Sequence, residues 1–391
     1  MPPRPRLTPA IADIRRAVRA SLAPLGAPAA PGPENEGELP AIGPDGGDID
    51  AGGIRSPSFS GTRSLVLVAL SGGPDSLALA AATAFEAPRA GLAAGAVIVD
   101  HGLQEGSADV AARAADQARG LGLAPVLVRR VDVGDSGGPE SAARAARYAA
   151  LDAAADETGA IAVLLGHTLD DQAETVLLGL ARGSGAGSLL GMPAVGRGEL
   201  DEPATARARP AGRYRRPLLG IRRSTTEAFC ADSALVPWRD PHNGDPRFAR
   251  VRVRTELLPE LERSLGPGVA EALARTAEQL AEDAEALDHL AEENLEEIVE
   301  LEEAGLSIGV ALLAANPAAL RQRIIRAVVE HEFHVGLSRR QTLEVARLVT
   351  DWHGQGPLDL PGLTAQRRGG RIHLISTRAG DLTGQKPPAE H

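Results

Sequence analysis

Apolar and polar positions recur along this chain with two different periods, and the switches between them outline its elements. Near the start, Ile11, Ile14, Val18 and Leu22 fall at helical spacing, which predicts a helix over residues 7–25. Residues 27–62 are rich in Pro, Gly, Ala and acids without any period and read as a disordered insertion. Regular alternation then begins. The apolar run 65–70 predicts a buried strand, and an alanine- and leucine-rich helix starts at Ser76. Strand 94–99, helix 108–121, strand 125–131, a helix from Glu140 to about Glu157 and strand 160–165 follow in turn. Strands alternating with helices predict an α/β fold with a doubly wound parallel sheet. Ligands of such sheets collect at the carboxyl ends of the strands.

A second irregular stretch covers about 196–214, and order resumes at Arg216-Pro217-Leu218-Leu219. Residues 224–231 read as a helix and 269–303 as a long acidic helix or helix pair. A small α+β module closes the chain, with helices near 317–332 and 338–352 and short strands near 358–360 and 371–375. The last dozen residues read as disordered. The expected domains are 1–62 (N-terminal helix plus insertion), 63–262 (the α/β domain) and 263–391 (helical linker and C-terminal module).

Composition narrows the class. At 391 residues the chain can hold two or three domains, and 43% apolar content with 2% aromatics describes a globular core built largely on alanine. Cys230 is the one cysteine, so no internal disulfide or cysteine-cluster metal site can form, and a buried thiol in a reducing compartment is expected. No apolar run reaches the length of a membrane span and the N-terminus lacks a signal-peptide core, so a cytoplasmic protein without a membrane partner is expected. The net charge of −11 argues against nucleic acid until its distribution is considered. Arginines dominate from Arg207 to Arg254, whereas acids crowd 278–303. The basic stretch is either a face for nucleic acid or a solvated loop.

The candidate chemistry sits at the predicted strand ends. Ser71-Gly72-Gly73-Pro74-Asp75-Ser76 joins the first strand to its helix. Glycine lets the backbone turn and approach a ligand closely, and a helix start offers unpaired N–H groups to phosphate. Asp75 adds a carboxylate that could hold Mg²⁺ beside that phosphate. Read alone, the loop is also an ordinary helix-starting turn. No Lys-Ser or Lys-Thr follows the glycines, so it is not a Walker A loop. Lys386 is the one lysine, which removes P-loop kinases, Schiff-base and pyridoxal enzymes together. Val99-Asp100-His101 ends the second strand, with His101 either a ligand contact or a satisfied loop histidine. After the fourth strand comes His167-Thr168-Leu169-Asp170-Asp171-Gln172-Ala173-Glu174-Thr175. One turn of helix brings Asp170 or Asp171 beside Glu174, so that both carboxylates face one space. Such a group can bind Mg²⁺, capture an amine or remove its proton. The aspartates are also suited simply to starting a helix. Arg144 and Arg147 are placed to meet a phosphate or carboxylate, or to pair with neighbouring acids.

Together these residues resemble the PP-loop (adenine nucleotide alpha hydrolase-like) family of ATP pyrophosphatases, and within it the tRNA(Ile)-lysidine synthetases. The resemblance also runs through Gly102-Leu103, Glu140-Ser141-Ala142-Ala143-Arg144, Arg147-Tyr148, Leu189-Leu190-Gly191-Met192, Arg216-Pro217-Leu218-Leu219 and Asp240-Pro241-His242-Asn243. The loop marks only the superfamily; the acidic histidine segment is more selective. The resemblance implies a ligase that adenylates C2 of the wobble cytidine of an isoleucine tRNA with ATP and lets the ε-amine of free L-lysine displace AMP. It implies that residues 71–76 with Val99, Asp100 and His101 bind ATP, that Asp75 helps to place Mg²⁺, and that Arg147, His167, Asp170, Asp171 and Glu174 serve lysine and catalysis. Arg216, Arg250, Arg252 and Arg254 would meet tRNA, and a homodimer is left open. Val251 departs from the family, which more often has Asn there, and the insertions are unusual additions. The rivals are another PP-loop tRNA-modifying or amide-forming synthetase and a non-catalytic nucleotide-binding module. A tRNA thiolase would want paired cysteines, and asparagine, GMP and NAD synthetases share the loop, but the glutaminase nucleophile expected of them is not found in this chain.

Overall fold

The computed structural model describes residues 7–26, 63–102, 106–132, 139–183, 186–196, 212–240, 244–302 and 305–377. The stretches expected to be disordered (27–62, most of 196–214 and the last dozen residues) lie outside the described residues, as do Leu103 and the Pro241-His242-Asn243 part of its motif.

Helix α1 (Pro9–Gly26) buries Ile11, Ile14, Val18 and Leu22, the four positions that the helical spacing singles out. Then come β1 (Leu65–Ala69), α2 (Pro74–Glu86), β2 (Ala93–Asp100), α3 (Ser107–Gly120), β3 (Val126–Arg130), α4 (Pro139–Thr158), β4 (Ala162–Leu164), α5 (Leu169–Arg182), β5 (Val195–Gly196) and β6 (Tyr214–Arg215). Among the described residues these strands form one sheet in the order β3-β2-β1-β4-β6-β5. All neighbours are parallel except β5, which runs antiparallel to β6. The expected doubly wound sheet is present, and β1 shows why its sequence is apolar throughout. Val66 and Val68 pack with α1, α2 and α3 on one face, whereas Leu67 and Ala69 pack with Tyr148, Leu151 and Ala155 of α4 on the other.

The sequence pattern contains no sign of β5 and β6, each too short to carry a period. They pair Val195 with Arg215 and Gly196 with Tyr214, so the two flanks of the second irregular stretch lie side by side in the sheet. Helix α6 (Arg223–Asp232) follows, with Phe229 and Cys230 in the core shared with α1 and α2. Next come α7 (Ala249–Arg252), a π turn over Val253–Leu257, α8 (Leu258–Leu265) and the long α9 (Val269–Ile298). One buried charge fastens α1 to α2. Glu86, 1% exposed, accepts from Arg15 Nε at 3.0 Å and from Arg19 Nε and Nη2 at 2.9 and 3.1 Å.

The chain divides into two compact units, Met1–Arg275 and Thr276–His391. The second unit contains β7 (Val299–Glu302), β8 (Gly305–Gly309), α10 (Val310–Ala315), α11 (Ala318–Phe333), α12 (Arg339–Thr350), β9 (Leu358–Leu360), β10 (Leu363–Arg368) and β11 (Arg371–Ser376). Its antiparallel sheet, in the order β7-β8-β11-β10-β9, packs Ile308, Leu363, Ile372 and Leu374 against Ile324, Ile325 and Val328 of α11 and Val345 and Leu348 of α12. The sequence pattern reads two of these strands. Its long acidic helix ends five residues sooner than expected, because 299–302 pairs with β8 instead. Among the described residues no helix is long and apolar enough to cross a membrane.

Candidate active site

The loop between β1 and α2 is built to present backbone N–H groups. Gly72 turns with φ +84°, a conformation glycine adopts without a Cβ penalty. Gly73 caps α2, and Pro74 takes the first helical position, where its missing N–H costs nothing. The hydroxyls of Ser71 and Ser76 lie 3.1 Å apart, and Ser76 Oγ receives Ser71 N–H at 3.2 Å and donates to Gly73 O at 3.1 Å. These bonds hold the loop closed from within. At the end of β4, a Cβ on Gly166 would stand only 3.0 Å from Ser76 N and 3.1 Å from Asp75 C, so any side chain there would push strand and loop apart. Trp238 N–H donates to Gly72 O at 2.8 Å and fastens the segment after α6 to the same loop.

A cavity of about 250 Å³ opens beside this loop at the carboxyl ends of β1 and β2. Ser71, Val99, Asp100, His101, Arg147 and Trp238 are among the residues that line it. Asp100 Oδ1 accepts from Gly102 N–H at 2.9 Å. Burial works to raise the Asp100 carboxyl, but that bond, the Ser107 hydroxyl and Arg130 together hold it below its ordinary value. His101 Nδ1 is buried with no hydrogen-bond partner among the described residues, and burial and then Arg147 hold its pKa low. Ser107 and Asp240 also line it, and Ala69, Leu70, Val97 and Leu151 supply apolar walls that suit a planar base.

The acidic segment forms the first two turns of α5. Thr168 N–H and Oγ both donate to Asp171 Oδ2 at 2.8 Å, closing the helix start. Gln172 exchanges two hydrogen bonds with the backbone of Met192, 2.9 Å to its O and 2.6 Å from its N, so this polar residue anchors the following segment. Glu174 has no exposed side-chain surface. Three arginines converge on these acids. Arg223 reaches Asp171 Oδ1 (2.7 Å), Glu174 Oε1 (3.3 Å) and Asp75 Oδ2 (3.5 Å), and its backbone N–H donates to Asp170 Oδ2 at 2.7 Å. Arg254 grips both oxygens of Glu174, and Arg250 lies 3.5 Å from Glu174 Oε2 and 2.9 Å from Thr175 Oγ. Asp75 also accepts from the buried hydroxyl of Thr226.

These contacts separate the acids electrostatically. Burial pushes Asp75 up to about 6, with the neighbouring Asp171 adding to the rise, while Thr226 and Arg223 pull against it. Asp171 is buried too, but Arg223 and the Thr168 bonds hold it below its ordinary value. Burial holds His167 well below its ordinary range, aided by Arg216, Arg147 and Arg250 against the pull of Asp171, so its imidazole is neutral. Cys230 is a buried thiol pushed up to about 12 by burial and then by Asp75, as inert as a core cysteine should be.

The structure thus brings residues 71–76, Val99, Asp100, His101, Arg147, His167, Asp170, Asp171, Glu174, Arg250 and Arg254 to one edge of the sheet. Two arginines do not join them as expected. Arg216 is 2% exposed, so it is no RNA-facing surface residue. It follows β6 into the core, where it donates to His167 Nδ1 at 3.3 Å and to Pro193 O at 3.0 Å and so positions the histidine. Arg252 turns to the carbonyls of Pro246 and Arg247, at 2.7 and 2.9 Å. Arg223, Thr226, Trp238 and Gly166 belong to the site without having been singled out in the sequence. Arg223 carried the one available signal, as part of a doubled arginine at a predicted helix start. Among the described residues no group of three or more His, Cys, Asp or Glu side chains is arranged to hold a metal ion.

A family model described as a PP-loop domain matches residues 54–261, and one described as a TilS substrate binding domain matches residues 309–373. The chain is 63% identical over 309 residues to the tRNA(Ile)-lysidine synthase of Leifsonia xyli subsp. xyli, covering 79% of this chain and 89% of that protein. It is 52% identical over 326 residues to the tRNA(Ile)-lysidine synthase of Streptomyces coelicolor, covering 81% and 87%. A third relative of the same name, from Salinispora tropica, is 48% identical over 377 residues, 95% of this chain and 98% of that one.

Proposed function

The chain belongs to the PP-loop family and, within it, to the tRNA(Ile)-lysidine synthases, and on that premise we propose that it ligates free L-lysine to C2 of the wobble cytidine of an isoleucine tRNA with a CAU anticodon. The cytidine O2 attacks the α-phosphorus of ATP and releases pyrophosphate. The ε-amine of lysine then attacks C2 and expels AMP, leaving lysidine. One observation carries this reading: Arg223 ties the phosphate loop, through Asp75, to the acid pair Asp171 and Glu174, so ATP and amine chemistry share one edge of the sheet.

In this reading the loop 71–76, through those of its N–H groups not bonded within it, receives the pyrophosphate portion of ATP, and the cavity beside Asp100 and His101 takes the base and ribose. Asp75 suits Mg²⁺, an ion commonly held by one or two carboxylates together with substrate phosphates. Its carboxylate sits among other acids at the helix start that faces the phosphates, and a bound cation would offset the burial that now raises it. When bound, Mg²⁺ neutralises charge developing on the pyrophosphate. Asp171 and Glu174 attract the lysine ammonium, and one of them takes the proton that the amine must lose, while His167, held by Arg216, lines the same pocket. Arg147 meets a phosphate or the lysine carboxylate. Arg250 and Arg254 meet tRNA phosphates, and residues 263–391 grip the rest of the tRNA. An anticodon loop is single-stranded, so its cytidine can leave the stack at modest cost. The cytoplasm, where tRNA is matured, is the corresponding location.

The test follows both products. With ATP and a CAU-anticodon isoleucine tRNA transcript, pyrophosphate release should require the tRNA, and labelled lysine should enter the RNA. Binding of ATP without cleavage when tRNA and lysine are both present would overturn the reading.

A further inference from the structure

Arg254 has two roles in this site that exclude one another. Its Nε and Nη2 lie 2.7 and 2.9 Å from the two oxygens of Glu174, a two-point guanidinium–carboxylate pair. Asp171 is no freer, since Oδ2 is taken by Thr168 and Oδ1 by Arg223, with Arg254 Nη2 at 3.4 Å. An ammonium arriving at this acid pair therefore finds its best acceptor position filled. Yet the Arg254 side chain is 26% exposed, so an RNA phosphate can reach it from solvent. It also sits in the π turn over Val253–Leu257, where Leu258 N–H bonds to Val253 O, a helix irregularity that is frequent at functional sites.

Resting on the reading of this site as one for lysine and tRNA, we propose that Arg254 leaves Glu174 when it pairs with a tRNA phosphate, so that tRNA binding opens the acid pair to the lysine ammonium. Charge is conserved in the exchange. A buried carboxylate stripped of its cation is strongly disfavoured, so one cation departs as another arrives. Arg223 and Arg250 remain beside Glu174 during the swap, at 3.3 and 3.5 Å. Because one residue serves both ligands, the coupling is reciprocal: lysine strengthens tRNA binding by the factor by which tRNA strengthens lysine binding.

The test is a calorimetric titration of L-lysine into the full chain with α,β-methylene ATP, which blocks turnover, with and without the CAU-anticodon isoleucine tRNA transcript. Saturating tRNA should lower the lysine Kd about tenfold or more, and saturating lysine should lower the tRNA Kd by the same factor. In Arg254→Gln the tRNA-free protein should already bind lysine about as tightly as the tRNA-bound wild type, with the further gain from tRNA below about twofold. Equal lysine affinity with and without tRNA in the wild type, or no measurable binding in either, overturns the proposal. The wild-type cycle decides this alone if the variant does not fold. Incorporation of labelled lysine is measured in parallel. Incorporation without coupling removes only this proposal, whereas no incorporation removes the functional reading beneath it.

Discussion

Glu86 and Glu174 are both buried glutamates clasped by arginines, and they do opposite things. Glu86 has two arginines to itself, Arg15 and Arg19, four residues apart on one face of α1. Burial alone would raise its carboxyl, but those two cations hold it below the ordinary value. Glu174 draws Arg223 from α6 and Arg250 and Arg254 from the stretch running from α7 into the π turn, and it shares Arg223 with Asp75 and Asp171 and Arg254 with Asp171. There the pairing is incomplete, and Asp75 remains pushed up to about 6. A buried charge with dedicated partners welds two helices. A cluster whose partners are shared stays poorly satisfied until a further charged ligand arrives, which is what a binding site requires.

The largest separation between the two should come from replacing Asp75, the acid that burial pushes up to about 6. Asp75→Asn keeps the shape and removes the charge, so tRNA-dependent pyrophosphate release should fall on the order of 10³-fold. Stability should be unchanged or higher. A carboxyl held about two pKa units above its ordinary value costs the folded state roughly 3 kcal/mol when ionised, and Asn avoids that cost. Urea unfolding at pH 7.5 beside a pyrophosphate assay reads both quantities. A stability loss with activity retained would make Asp75 another weld.

Glu86→Gln should do the reverse. It removes the charge that Arg15 and Arg19 share and weakens three hydrogen bonds, so the protein should lose about 2 kcal/mol, less than for a pair sealed from water because Arg19 is largely exposed. Lysine incorporation per folded molecule should not change at 25 °C. A fall in activity with stability intact would show that the α1–α2 weld reaches the site.

The same contrast explains what the sequence could disclose. Residues 71–76 are legible because β1 and α2 are both strongly patterned and leave only one place for the loop. The acid pair is legible because Asp171 and Glu174 lie one helical turn apart. Arg223 and Thr226 are not, since their partners are on other elements and no spacing along the chain relates them to Asp75. Arg216 and Arg254 are visible as basic residues, but nothing local fixes the direction in which an arginine points. Arg216 goes inward because it follows a sheet strand, and Arg254 because α5 gathers carboxylates. In the second unit, Leu358–Leu360 and Arg371–Ser376 show enough alternation to be read, whereas β7 continues straight from a long helical repeat that masks it.

The smallest effect, and the most discriminating, is on pH. The folded-state pKa of Asp75 is raised from 3.8 to about 6, so between those values the native protein binds more protons than the unfolded chain. Its contribution to stability is therefore present below 3.8 and lost as pH rises through about 6. Glu86 acts in the other direction. Its folded value lies below the ordinary 4.5, so its contribution is full above 4.5 and lost as pH falls through the folded value. Function should follow Asp75, because subsaturating ATP reports the ionised fraction of the free enzyme. Pyrophosphate release should fall about twofold from pH 7.5 to 6 and then approach tenfold per unit. Glu86→Gln should keep that acid limb at the same pH. A limb at or below pH 4.5 would mean that Asp75 is satisfied in the free protein, and Asp75 and Glu86 would then be two welds of one kind.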